Sequence, residues 1–290
     1  MRLPVTPSSL YFNIVATRSF FRYTTHIRPI RYQSTMQSHA CCTVPPVISK
    51  GYDAKGTYTT IDGMKTYTTG PSDAKKAILV VYDIFGFKDQ TIQGADILAT
   101  SDKENQYQVF MPDFFEGKPV DINDYPPDTK EKGERLGQFF QTTGAPPKTV
   151  GRIPKVIEEI KSQNKNIASF GIVGFCWGGK IVNLSSQKDT VFKAAAACHP
   201  AMVDPNDAAG ITIPIAMLPS KDEDKEAVDK WEQGVKTKHL VKWYYDQVHG
   251  FMAARADLED ENVKKNYMDA YGVLLNFFHE HMTASNANKL

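Results

Sequence analysis

The segment Gly174-Phe175-Cys176-Trp177-Gly178-Gly179 sets a cysteine at the centre of a G-x-C-x-G frame. Glycines two before and two after a central nucleophile leave room for a strand-to-helix crossing too tight for side chains. A thiol there stands at a helix N-terminus, whose free N–H groups and dipole favour a thiolate and an oxyanion. Such a nucleophile needs a base, and the base an orienting acid. His249, in Val248-His249-Gly250-Phe251, follows the last expected strand and is the expected base. Its rival is His199, in Cys198-His199-Pro200, which also ends a strand and is expected to line the pocket or pack behind it. The acid is expected in Ser220-Lys221-Asp222-Glu223-Asp224. Asp222 lies in the loop proper, Asp224 is the alternative, and Glu223 and Asp224 are also placed to open the next helix. In Asp83-Ile84-Phe85-Gly86, the Ile84 N–H is the expected oxyanion donor beside that of Trp177, with Asp83 next to the thiol.

Elements that could hold these residues follow from hydrophobic period. Residues 56–60 and 64–68 read as a hairpin of β-formers. A continuous apolar run over 77–82 suits a strand covered on both faces, and 107–111, 167–173, 191–197, 211–218 and 240–245 read as further strands. Helical patterns fall over 90–99, 128–141, 149–163, 178–186, 223–236 and 258–279, and 112–127 reads as loop. Alternating strands and helices predict one α/β domain, a mostly parallel sheet with helices on both faces.

Bulk properties narrow the function. The 290 residues carry 34 Lys+Arg against 33 Asp+Glu, a net charge of +1, which gives no electrostatic reason to expect nucleic acid or an anionic membrane as partner. No apolar run is long enough to cross a membrane. Four cysteines, at 41, 42, 176 and 198, show no metal-ligand spacing, so neither metal nor cofactor is expected. The first 36 residues have arginines at 2, 19, 22, 28 and 31 and no acid, as in a mitochondrial transit peptide. Residues 1–40 are expected to be such a transit peptide or a disordered leader and 41–290 the single domain, mitochondrial if the leader acts and cytoplasmic if it does not or if translation starts at Met36.

From about Cys41 onward the chain resembles the dienelactone hydrolase (carboxymethylenebutenolidase) family of α/β-hydrolases. The resemblance rests on the Cys176 hexapeptide, Ser220-Lys221-Asp222, His249-Gly250-Phe251 followed by Arg255, Asp83-Ile84-Phe85-Gly86, and Met111-Pro112-Asp113-Phe114-Phe115. The leader with Cys41-Cys42 looks like the fungal members. The resemblance implies a Cys176–His249–Asp222 triad that hydrolyses a carboxylate-bearing lactone or ester through a thioester, without metal. Bacterial members have glutamate at the position of Asp83 and an arginine in the region of 113–119, where this chain offers only Lys118. Phe85, Phe114, Phe115, Trp177 and Phe251 suit an aromatic-lined pocket or the core equally, and Arg255 an anion contact or the surface. The competing reading is a Cys176 thiol switch or ligand-binding protein on a degenerate hydrolase fold.

Overall fold

The computed structural model describes residues 50–282; the leader, Cys41 and Cys42 lie outside the described residues. β1 (Thr57–Ile61) and β2 (Met64–Thr69) form the expected hairpin, with Ile61 opposite Met64. Asp62 and Gly63 between them have φ of 48° and 72°, the left-handed pair that a two-residue hairpin turn requires. β3 (Lys76–Val81), β4 (Gln108–Pro112), β5 (Ser169–Phe175), β6 (Phe192–Cys198), β7 (Ile215–Leu218) and β8 (His239–Val241) complete one sheet. Its order is β1-β2-β4-β3-β5-β6-β7-β8, antiparallel at β1 and β2 and parallel from β4 to β8.

The apolar runs of β3, β5 and β6 are buried almost without interruption, as strands covered on both faces must be. α1 (Asp89–Thr100) packs with α7 (Glu261–Met282), and α7 lies against β5, β6 and β7. A second packing group holds α3 (Pro146–Gln163), α4 (Trp177–Ser185), α5 (Pro205–Ala208) and α6 (Lys225–Gly234), with α4 against β3, β5 and β6. α2 (Lys130–Gln141) is capped by the Thr129 hydroxyl, which accepts the Lys132 N–H at 3.3 Å.

Several boundaries differ from the sequence reading. The strand expected over 211–218 pairs only from Ile215, because Thr212 turns aside to give its N–H to the Ser186 carbonyl at 3.0 Å and Pro214 has no N–H for a ladder. The strand expected over 240–245 is His239–Val241, rejoined to the sheet by a single bridge from Tyr244 to Ser220. α3 starts at Pro146 rather than near 149, since proline is well suited to a helix's first turn. The last helix starts at Glu261, after a turn capped by the Asp260 carboxylate.

Candidate active site

Cys176 stands where β5 ends and α4 begins, with φ 54° and ψ −114°. A side chain other than glycine's rarely takes this conformation, and it persists only when the surroundings fix it. Here the Cys176 N–H donates to the Cys198 carbonyl at 3.1 Å, and its own carbonyl accepts from Gly179 and Ala201, both at 2.9 Å. The flanking glycines are obligatory. A Cβ on Gly178 would lie 2.1 Å from the Val81 carbonyl oxygen, and one on Gly174 the same distance from that of Gly178. The start of α4 therefore presses directly on β3 and β5, and the turn presents the half-buried thiol.

Two backbone donors flank it. Neither the Trp177 N–H, in the first turn of α4, nor the Ile84 N–H, in the loop after β3, meets an acceptor among the described residues. The unused N–H groups of a helix's first turn form a ready anion site.

His249 lies beyond β8 with Nδ1 2.6 Å from Glu223 Oε1, and Cys176 is the other group that acts on its ring. Burial pushes the imidazolium toward losing its proton. The hydrogen bonds to Cys176 and Glu223, with their charge, outweigh that and raise His249 to about 10. The site thus favours the charged imidazolium.

The acid on the ring is therefore Glu223, and the expectation of Asp222 is corrected. Asp222 instead accepts the backbone N–H of His249 at 2.8 Å, and is exposed. Asp224, the other alternative, caps α6 by accepting the N–H groups of Glu226 and Ala227 at 2.8 and 3.2 Å. The turn through Lys221 and Asp222 and the bend at Glu223 bury the Glu223 side chain between two exposed aspartates. Its second oxygen accepts the Ser220 N–H. A cap at Asp224 is readable from the α6 pattern, but the inward position of Glu223 is not.

Asp83, expected next to the thiol, has two backbone partners. Its oxygens accept the N–H groups of Phe85 at 2.9 Å and Ala254 at 3.0 Å, so it also clasps the β3 loop to the 250–255 segment. Burial raises its carboxyl to about 6, against the lowering effect of those two N–H groups and of His249. His199 is fully buried and edge-on to His249, with ring centres 5.3 Å apart. Neither of its ring nitrogens has a partner, and burial followed by the nearby His249 charge holds it well below the usual histidine range.

The expected aromatic pocket is largely core. Phe115 packs on Trp177, Phe139 and Tyr82, with ring centres 4.7, 4.9 and 5.0 Å away. Phe114 and Phe251 are also buried, and the Trp177 Nε1–H is held by the Gly144 carbonyl at 2.8 Å. Phe85 meets Tyr125 edge-on at 5.9 Å, and Tyr125, unforeseen from sequence, also faces the Arg255 guanidinium at 5.5 Å. Arg255 donates to the His249 carbonyl at 2.8 Å, whereas Lys118 is exposed on the loop after β4. The cavity beside His249, about 270 Å³, is walled by Pro200–Val203, Asp222–Asp224 and Ala227. A larger one of about 460 Å³, near Thr59, Gln108 and Asn164, contains none of the reactive residues.

A mostly parallel sheet with a strained strand-to-helix turn at Cys176, followed in chain order by Glu223 and His249, has the layout of an α/β-hydrolase. The dienelactone hydrolase family model matches residues 64–282, and the chain belongs to that family. It is thus a hydrolase of esters or lactones. An AIM2 family protein of Schizosaccharomyces pombe is 35% identical over 79% of this chain and 93% of its own. A human carboxymethylenebutenolidase homolog is 26% identical over 75% and 87%. The solved dienelactone hydrolase of Anabaena variabilis shares the fold at TM-score 0.54 and 10% identity, covering 78% of this chain and 96% of that one.

Proposed function

We propose that Cys176, His249 and Glu223 act together to hydrolyse a small ester or lactone through a thioester on Cys176. The observation that carries this reading is His249 with the Glu223 carboxylate on Nδ1 and Cys176 as the other group acting on its ring. The Cys176 sulfur, as thiolate beside the His249 imidazolium, attacks the substrate carbonyl carbon. The carbonyl oxygen becomes an oxyanion, which the N–H groups of Ile84 and Trp177 receive; each such donor is worth about 3–4 kcal/mol in the transition state. As the tetrahedral adduct collapses, the C–O bond breaks and His249 gives its proton to the leaving oxygen. Neutral His249 then takes a proton from water, whose oxygen attacks the thioester. The acid leaves, and the thiolate–imidazolium pair is restored. Glu223 orients the ring and stabilises its charge throughout, as the acid of a triad does.

Intact-mass spectrometry during turnover of a panel of lactones and activated esters tests this. The expected result is an acyl adduct on Cys176, and loss of both adduct and turnover in Cys176→Ala. Turnover at the wild-type rate in that variant would overturn the reading. Oxidation of Cys176 by dilute peroxide with no adduct from any ester would replace the hydrolase with the thiol switch.

A further inference from the structure

The cavity against His249 has a chemical character that bears on which substrates it admits. Its apolar lining comes from Pro200, Met202 and Val203 after β6 and from Ala227 on α6. Its polar lining, apart from His249 itself, is Asp222, Glu223 and Asp224. Glu223 is matched by the His249 imidazolium. The Asp222 carboxylate accepts the His249 backbone N–H and that of Asp224 the N–H groups of Glu226 and Ala227, and neither pairs with a cation among the described residues.

Cations near this wall are engaged elsewhere or turned away. Lys225 pairs with Asp229 at 2.6 Å and Lys180 with Asp207 at 2.6 Å. Lys221 is exposed and is not part of the lining, while Arg255 holds the His249 carbonyl and faces Tyr125. His199 stays neutral behind the catalytic ring. A carboxylate seated between Met202 and Asp224 would therefore meet two carboxylates and no compensating cation, which like-charge repulsion disfavours.

We infer that the cavity walled by Met202, Val203, Asp222 and Asp224 admits the neutral apolar or cationic part of a substrate and rejects an anionic one. This rests on the proposed hydrolase reading and deepens it: the preferred substrates are esters or lactones with no carboxylate on the portion beyond His249. Both aspartates are exposed, so their field is screened within a Debye length of about 8–10 Å at ordinary salt and the discrimination is moderate.

The test separates the wall's charge from turnover. Wild-type protein is labelled with two methanethiosulfonates of similar size, one with a trimethylammonium group and one with a sulfonate, and modification at Cys176 is followed by peptide mass spectrometry. Relative to a free small thiol in the same buffer, the cationic reagent is expected to be favoured about threefold or more at low salt, the preference fading as salt rises. Asp224→Asn should shrink it, since asparagine keeps the helix cap while removing the charge. A matched panel of cationic, neutral and anionic esters, with the charge on either half, should give kcat/KM lowest for the anionic members, and Asp224→Asn should narrow the gap. Labelling with the free-thiol ratio in both proteins would overturn the inference even if esters are hydrolysed through Cys176. The reverse pattern, a cationic preference without turnover of any ester, would uphold the wall and remove the hydrolase reading.

Discussion

At the scale of single residues, the division of labour among Asp222, Glu223 and Asp224 is the point most open to measurement. Glu223→Gln removes the carboxylate from His249 and should lower kcat about 10²-fold or more, within the range for general acid–base groups. It also removes one of the partners that raise His249, so the alkaline limb of the pH–rate profile, set near 10 in the wild type, should move to lower pH. Asp222→Asn leaves an amide oxygen to accept the His249 N–H and should have the smaller effect; a larger loss there than in Glu223→Gln would reverse the assignment. Linkage gives the same sign. A histidine raised in the folded state contributes stability that is complete below about 6.5 and is lost as pH climbs through about 10. Denaturant titrations should therefore show less loss over that window in Glu223→Gln. His199 offers a separate test. Its two partnerless ring nitrogens each forgo a hydrogen bond at a cost of about 1–3 kcal/mol, so His199→Phe, which keeps the ring's stacking place, should raise the melting temperature.

Elements matter here chiefly through their ends. The turn from β5 into α4 depends on two carbonyl contacts that leave no space for a methyl group, at Gly174 and Gly178. Gly178→Ala would drive a Cβ into the Val81 carbonyl of β3, a backbone atom inside the sheet that cannot swing away. A loss of more than about 3 kcal/mol is expected, visible as a shifted denaturation midpoint together with lost Cys176 reactivity. Asp83 plays the complementary part between loops, holding Phe85 and Ala254 with one oxygen each. That clasp keeps the Ile84 N–H on one side of the site and the His249–Arg255 segment on the other.

For the whole molecule, α7 supports the site from a distance. Tyr271, fully buried on this helix, donates its hydroxyl to the Met252 carbonyl at 3.0 Å, and its ring lies 6.2 Å from that of Phe175, next to the nucleophile. A Cβ on Gly94 of α1 would fall 1.8 Å from that hydroxyl. Tyr271 is packed on every side, so Gly94→Ala must part α1 from α7 or displace the Met252 segment. Either outcome should cost about 1–3 kcal/mol, the usual range for overpacking, measured by thermal melts, and should weaken activity through the loop that carries His249.

The α/β architecture, the hairpin and the tight turn at Cys176 were legible in the sequence because each depends on local chemistry. Apolar runs declare buried strands, Asp62-Gly63 declares a tight turn, and the Gly174–Gly178 spacing declares a crossing that excludes side chains. The order of Cys176, the acid loop and His249 then places all three at the same edge of a parallel sheet. What the sequence could not rank were adjacent residues of one chemistry. Three carboxylates in a row differ only in which way each points, and that follows from where the cap of α6 falls and from the space beside His249. Phe114, Phe115 and Phe251 read as pocket or core alike until neighbouring helices covered them. The bond that Asp83 accepts from the N–H of Ala254, 171 residues further along, has no local signal either. The sequence by itself determined that a thiol is presented on a strained turn with a histidine downstream. Only the tertiary structure decided that Glu223 holds that histidine and that two aspartates wall the cavity beside it, because those facts depend on side-chain direction and on contacts between segments remote in the chain.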